Sequence, residues 1–221
     1  MKAIRSLAVA GALLTLASAA SMAQTARPFQ NSWFWGVKGG STFLSSRSSS
    51  SVTSGMVGLD WLITRNRGGI YASFDQSFLS QYATLADSVN STDTPSVVNI
   101  KNLRRLTIAL MGYPGDWERF HPYVGLGMVY NQVGQVTNTS TLGSSDQAAL
   151  YTQIVSSYKS AFTPAVMAGA QWQVRNAALF TQVMIWQANQ QFLLSSPSRG
   201  ANASIELGIR YNFGSSIDKE R

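Results

Sequence analysis

Ile205–Gly214 reads IELGIRYNFG. Ile205, Leu207, Ile209, Tyr211 and Phe213 occupy every second position, and Glu206, Gly208, Arg210 and Asn212 fill the gaps. Side chains alternate across a strand, so this stretch presents one apolar face that ends on aromatic rings. The other face carries a carboxylate, a glycine, a guanidinium and an amide. Whether that polar face meets water or lies inside a barrel is decided by the rest of the chain.

The same period of two recurs from end to end. Trp33, Trp35, Val37 and Phe43 share a face opposite Gly36, Lys38 and Gly40. Val57, Leu59, Trp61 and Ile63 oppose Gly58, Asp60 and Leu62. Ile70, Ala72, Phe74 and Phe78 oppose Tyr71, Ser73, Asp75 and Ser77, with Gln76 a polar misfit on the apolar side. Leu106, Ile108 and Leu110 oppose Arg105, Thr107 and Ala109, and Val124, Leu126, Met128 and Tyr130 oppose Tyr123, Gly125, Gly127 and Asn131. Val166, Ala168, Ala170 and Trp172 oppose Gly169, Gln171, Gln173 and Arg175. Ala178–Leu194 also reads as a strand, but it is nearly apolar on both faces and its register stays open. With the opening segment the expected count is eight.

The connections alternate in length. Thr64–Gly69, Pro114–Arg119 and Arg175–Ala177 are short; Ser45–Ser54, Gln81–Ser96, Gly134–Ser160 and Ser195–Gly200 are mostly longer and rich in Ser, Thr, Asn and Gly. The serine run at 48–51 and the loop at 134–160 read as low-complexity and mobile. Short turns at one end and long loops at the other fit an outer-membrane barrel. Three features place the apolar face outward rather than in a soluble core. Glycines and small residues crowd the charged face, as a narrow lumen requires. Aromatics gather near the strand ends: Trp33, Trp35, Trp61, Trp172, Tyr211 and Phe213 toward the short turns, and Phe43, Phe78, Tyr82, Tyr130, Phe162 and Phe192 toward the loops. Each alternating stretch spans about 9 to 11 residues, enough for a tilted strand to cross hydrocarbon. The expected fold is all-β, an eight-stranded antiparallel up-and-down transmembrane β-barrel.

Composition agrees. Charged residues make up 12% of the 221 residues, about half the usual share, which suits a surface that avoids water. Cysteine is absent, excluding disulfides and thiolate chemistry. Residues 1–23 carry Lys2 and Arg5, an apolar run from Leu7 to Ala20 and the small residues Ser21 and Ala23, which predicts a cleaved secretory leader. Residues 24–221 are then the barrel, with strands within 31–213 and a short tail at 214–221. Removing two bases leaves 15 against 10 acids, or +5. No Lys/Arg cluster forms a nucleic-acid footprint.

WGVKGG near the mature N-terminus, HPYVGLGMVY in the fifth strand and ELGIRYNF at the end occur in an order that resembles the small eight-stranded outer-membrane β-barrel family. That family includes the OmpA transmembrane domain, OmpX/Ail-type proteins and OmpW. The resemblance covers residues 31–213. It implies location in a bacterial outer membrane, contact with outer-membrane lipid, and delivery by the barrel-assembly machinery. It also implies that Leu207, Ile209, Tyr211 and Phe213 form the assembly signal, although GSSIDKER follows Phe213 here.

Lys38, Asp60, Asp75, Arg105, Arg175, Glu206 and Arg210 fall on the polar face, four bases and three acids; for Arg175, near the short-turn end, the alternative is that it faces the periplasm. In a dry lumen they should pair. The favoured expectation is a salt-bridge network that plugs the barrel, since eight strands leave room for little beyond their own side chains. The competing expectation is a polar path for a solute. Catalysis is not expected. The single histidine, His121, follows the short turn at 114–119 and reads as a turn or interface residue at the periplasmic side, away from any outer-leaflet triad. Asp87, Asn90 and Asp93 are a weak candidate for a loop calcium, and no cofactor is expected.

The expected role is therefore structural or surface-interacting, with partners meeting the loops at 45–54, 81–96 and 134–160. The alternative is a narrow channel for ions or small hydrophobic molecules. In that alternative Phe180, Met184 and Trp186 of the seventh strand line an apolar pocket. The favoured reading has those three facing lipid.

Overall fold

The computed structural model describes residues 27–45, 52–85, 96–115, 117–138, 145–188 and 200–216. The expected leader at 1–23, the serine run at 48–51, the calcium candidates Asp87, Asn90 and Asp93, and Phe192 lie outside them. Eight strands follow in chain order: β1 (Ser32–Leu44), β2 (Val52–Arg65), β3 (Gly68–Leu85), β4 (Ser96–Gly112), β5 (Phe120–Asn138), β6 (Ser160–Val174), β7 (Ala177–Gln187) and β8 (Ala201–Ser215). Each pairs antiparallel with its neighbours, and β8 returns to β1 to close the barrel. The alternation that predicted the strands also fixes their sides. A one-residue slip would move every charge of a strand to the other face.

The molecule is built opposite to a soluble protein. Leu126 is 70% exposed, Leu110 69% and Leu207 65%. Arg105, Glu206 and Arg210 are fully buried or nearly so. Water would not tolerate an apolar girdle of this extent; hydrocarbon would. Closure leaves no unpaired strand edge, as a lipid environment demands.

Two of the short connections are two-residue turns, closed by the pairs Arg65↔Gly68 and Val174↔Ala177. Asn66 (φ 50°) and Arg175 (φ 55°) take the left-handed conformation there. Asparagine adopts it readily; arginine does not, and its side chain is carried out of the lumen.

Most strands outrun the expected 9 to 11 residues, reaching 19 in β5. The cross-strand rows explain the excess. Phe74, Leu106, Tyr130 and Phe162 align across β3–β6, and the next outward-facing row is Gln76, Arg104, Gln132 and Ser160. Hydrocarbon can end between those rows while the strands continue. Arg104 Nε donates to Gln76 Oε1 at 3.4 Å, so the misfit Gln76 is a polar partner at the boundary. β3 runs nine residues past Gln76 to Leu85, about 30 Å along the strand. Residues 52–54, 81–85 and 134–138, expected in loops, are therefore strand. The connection expected at 134–160 contains a helix, α1 (Ser145–Tyr158).

β7 is the other correction. Phe180, Met184 and Trp186 face the lumen, each no more than 2% exposed, and Leu179, Val183 and Ile185 face outward. Period alone was undecided because both faces are apolar. The lumen takes the aromatics because two buried guanidinium groups need flat partners there.

Candidate functional site

Among the described residues the lumen holds six charges from five strands: Lys38 on β1, Asp60 on β2, Asp75 on β3, Arg105 on β4, and Glu206 and Arg210 on β8. Three are basic and three acidic, so the interior is neutral. Arg175, expected among them, stands exposed in the β6–β7 turn instead.

Four charges form one cluster. Lys38 Nζ lies 2.6 Å from Glu206 Oε2 and 2.9 Å from Asp75 Oδ1. Arg105 donates from Nη2 and Nε to Asp75 Oδ2 at 2.9 and 3.0 Å, and Nη2 also reaches Glu206 Oε1. Each base therefore touches both acids. Neutral groups complete the shell. Lys38 Nζ donates to Tyr71 OH at 2.9 Å and Ser73 Oγ at 3.1 Å. Ser204 Oγ and Gln182 Nε2 donate to Glu206 at 2.7 Å each. The Trp186 ring lies 4.7 Å from the Arg105 guanidinium carbon. Buried ion pairs survive only when most of their remaining hydrogen-bonding positions are satisfied; here Asp75 Oδ1 is the exception, held by its ion pair with Lys38 alone.

The second cluster is a pair. Arg210 Nη2 and Nε donate to Asp60 Oδ2 at 2.9 and 3.1 Å, and Nη1 donates to Gln171 Oε1 at 2.8 Å. The Phe180 ring covers the guanidinium at 3.7 Å. Tyr71 faces Arg210 as well, at 5.5 Å. Tyr71 OH accepts Gln182 Nε2 at 3.0 Å, and Tyr123 OH donates to Gln182 Oε1 at 3.0 Å. The two clusters thus share a neutral bridge.

Glycine makes the room. A Cβ on Gly36 would strike Asp60 and Arg210, one on Gly58 would strike Asp75, and one on Gly208 would strike the Phe180 ring. These glycines stand beside the charges because the carboxylates and guanidinium groups occupy the space a side chain would fill.

Below the pair, residues 27–31 cross the short-turn mouth of the barrel as a strap. Phe29 stacks on His121 at 3.9 Å between ring centres and meets Tyr113 edge-on at 4.8 Å. Phe29 O accepts Thr64 Oγ1 at 2.5 Å, and Pro28 O accepts Asn212 Nδ2 at 3.0 Å. Arg27 Nη1 donates to Asn212 O at 2.8 Å. His121 is thus at the expected end of the barrel but not at its surface. It faces inward, buried beneath Phe29.

Sequence reasoning placed Tyr71, Tyr123 and Gln171 on the polar face but gave them no role, since it weighed only charges. The strap carried no periodic signal. Leu207, Ile209, Tyr211 and Phe213 all lie outward on β8, with Tyr211 and Phe213 in edge contact at 5.0 Å. Among the described residues no group of three or more His, Asp and Glu could hold a metal ion.

No family model matches the sequence, and neither does any curated protein. Among solved structures, the chain is similar to Neisserial surface protein A, with a TM-score of 0.52 at 10% identity, covering 82% of this chain and 97% of that one. Two others are Ail of Yersinia pestis, in complex with a heparin analogue (0.48, 13% identity, 84% and 100% covered), and the outer membrane protein OprG of Pseudomonas aeruginosa (0.48, 12%, 84% and 98%). At such identities the likeness concerns the fold.

Proposed function

We propose that the protein is an outer-membrane barrel with a structural or surface-interaction role, its lumen closed by the two charge clusters and its working surface at the loop end. The observation that carries the reading is that each of the six lumen charges among the described residues is paired with an opposite charge. A conducting path needs charges that exchange partners with a passing ion; these are committed. The leader at 1–23 delivers the chain to the periplasm, and the outward Leu207, Ile209, Tyr211 and Phe213 serve as the assembly signal. Partners meet the projecting ends of β3, β4 and β5 and the loops at 45–54, 81–96 and 134–160. We assign no catalysis; the stacking of His121 on Phe29 supports that view.

The test is single-channel recording of the refolded mature protein in a planar bilayer, with gel mobility before and after boiling as the check on folding. A folded barrel that stays silent is expected. Discrete current steps would replace this reading with a channel. One feature favours a second reading, passage of a small apolar molecule: a recess of about 370 Å³ where β7 ends, lined by Pro164, Ala165, Trp186, Gly200 and Ala201. Quenching of Trp186 fluorescence by a brominated alkane would detect such an occupant.

A further inference from the structure

Apart from the buried His121, every basic residue at the short-turn end among the described residues is an arginine: Arg27, Arg65, Arg67, Arg119 and Arg175. Arg65 and Arg67 share one tight turn, and neither forms an ion pair with a described acid. Arg65 ends β2 on its outward face, in line with Trp61 and Ile63. Ile63 pairs with Trp33, and Trp33 and Trp35 lie 5.5 and 6.2 Å from Trp61 between ring centres. A guanidinium therefore hangs just past a patch of three indoles. Arg67 is exposed one residue beyond Asn66.

The backbone that carries this pair is fixed. Arg67 O accepts Tyr113 N–H at 2.8 Å, Ser32 N–H donates to Thr64 Oγ1 at 3.0 Å, and Thr64 Oγ1 donates to Phe29 O. Neither guanidinium has an acidic partner within 4 Å among the described residues, whereas all three lumen bases do. Two forked donors on a rigid turn, under an indole girdle, match one chemistry: a phosphodiester at the membrane surface.

We propose that Arg65 and Arg67, with Trp33 and Trp61 above them, bind the headgroup of an anionic glycerophospholipid in the periplasmic leaflet. The proposal rests on the membrane orientation given under Proposed function. Phospholipid is favoured over a wall polymer because Arg65 shares its face with the lipid-facing Trp61 and Ile63 rather than pointing along the barrel axis. Each arginine near an anionic surface favours the charged lipid by about fivefold at low salt.

The test compares the protein with the Arg65→Gln/Arg67→Gln variant in phosphatidylcholine vesicles with and without phosphatidylglycerol. Wild type should unfold at a higher temperature when phosphatidylglycerol is present, and salt should erase the gain. The variant should keep its midpoint in phosphatidylcholine and lose most of the gain. Native mass spectrometry should show phosphatidylglycerol retained about fivefold or more over phosphatidylcholine by wild type only. An equal gain in the variant, or none in wild type, overturns the proposal. So does unchanged lipid preference with lost binding to soluble peptidoglycan fragments, which would name the wall as partner. Truncation after Ser216 is the control for pairing with Asp218 or Glu220. If it releases a lipid preference that wild type lacks, the arginines serve the tail and the proposal fails. Failure to fold into either vesicle, read by gel mobility, would instead count against the membrane reading itself.

Discussion

At the residue scale, Glu206 is the hinge of the lumen. It touches Lys38, Arg105, Ser204 and Gln182, and it has no solvent to replace any of them. Glu206→Gln keeps the shape and removes the charge, leaving Lys38 and Arg105 to share Asp75. The expected cost is about 3 to 5 kcal/mol of unfolding free energy, the usual penalty for stranding a buried charge. Urea titration in detergent or lipid measures it. Adding Lys38→Met should recover part of the loss, because the excess positive charge then disappears; purely additive losses would show that the two do not act as a pair. Charges were legible in the sequence because alternation assigns each one a face. Arg175 broke that rule. It has lumen parity but sits in a turn at φ 55°, where alternation no longer applies. Tyr71 and Gln182 were illegible as partners. Nothing in a neutral side chain's spacing says that an ion pair waits across the lumen.

At the element scale, β7 and the strap carry what the pattern could not. β7 has apolar residues on both faces, so only the three-dimensional need of Arg105 and Arg210 for aromatic cover selects its register. The chain has no cysteine, so single-cysteine variants report cleanly. A membrane-soluble thiol reagent should label Ile185→Cys rapidly and Met184→Cys hardly at all; the reverse would put Trp186 in lipid. The strap of residues 27–31 is held by capping bonds rather than by a ladder, and it leaves no periodic trace. Its main apolar contact is Phe29, which packs on His121, Tyr113 and Phe34. Phe29→Ala should cost about 3 kcal/mol, in the range for truncating a buried aromatic. The lumen should stay non-conducting, since the charge clusters above are untouched. A melting curve and a bilayer recording on the same preparation check both halves. Current from this variant would make the strap the seal and the clusters secondary.

At the scale of the whole molecule, the question is which solvent the outer wall meets, and one substitution separates the answers. Leu126 stands near the middle of β5's outward row, between Val124 and Met128, and 70% of it is exposed. On a water-facing surface, Leu126→Arg would change stability by no more than about 0.5 kcal/mol. In hydrocarbon the same change costs about 2 to 4 kcal/mol near the midplane and little near the interfaces. Gln132 occupies the same outward face of β5, beyond the aromatic Tyr130. Gln132→Arg should therefore be nearly neutral. The depth dependence between the two, measured by reversible unfolding in vesicles, tests the boundary drawn between the Tyr130 and Gln132 rows as well as the membrane itself. Equal, small effects at both positions would return the apolar wall to water and leave the neutral lumen without a reason to be dry. A large cost at Leu126 alone would show that the rule first legible in IELGIRYNFG, apolar out and charge in, also sets β5's outward row in hydrocarbon, on the wall away from β8.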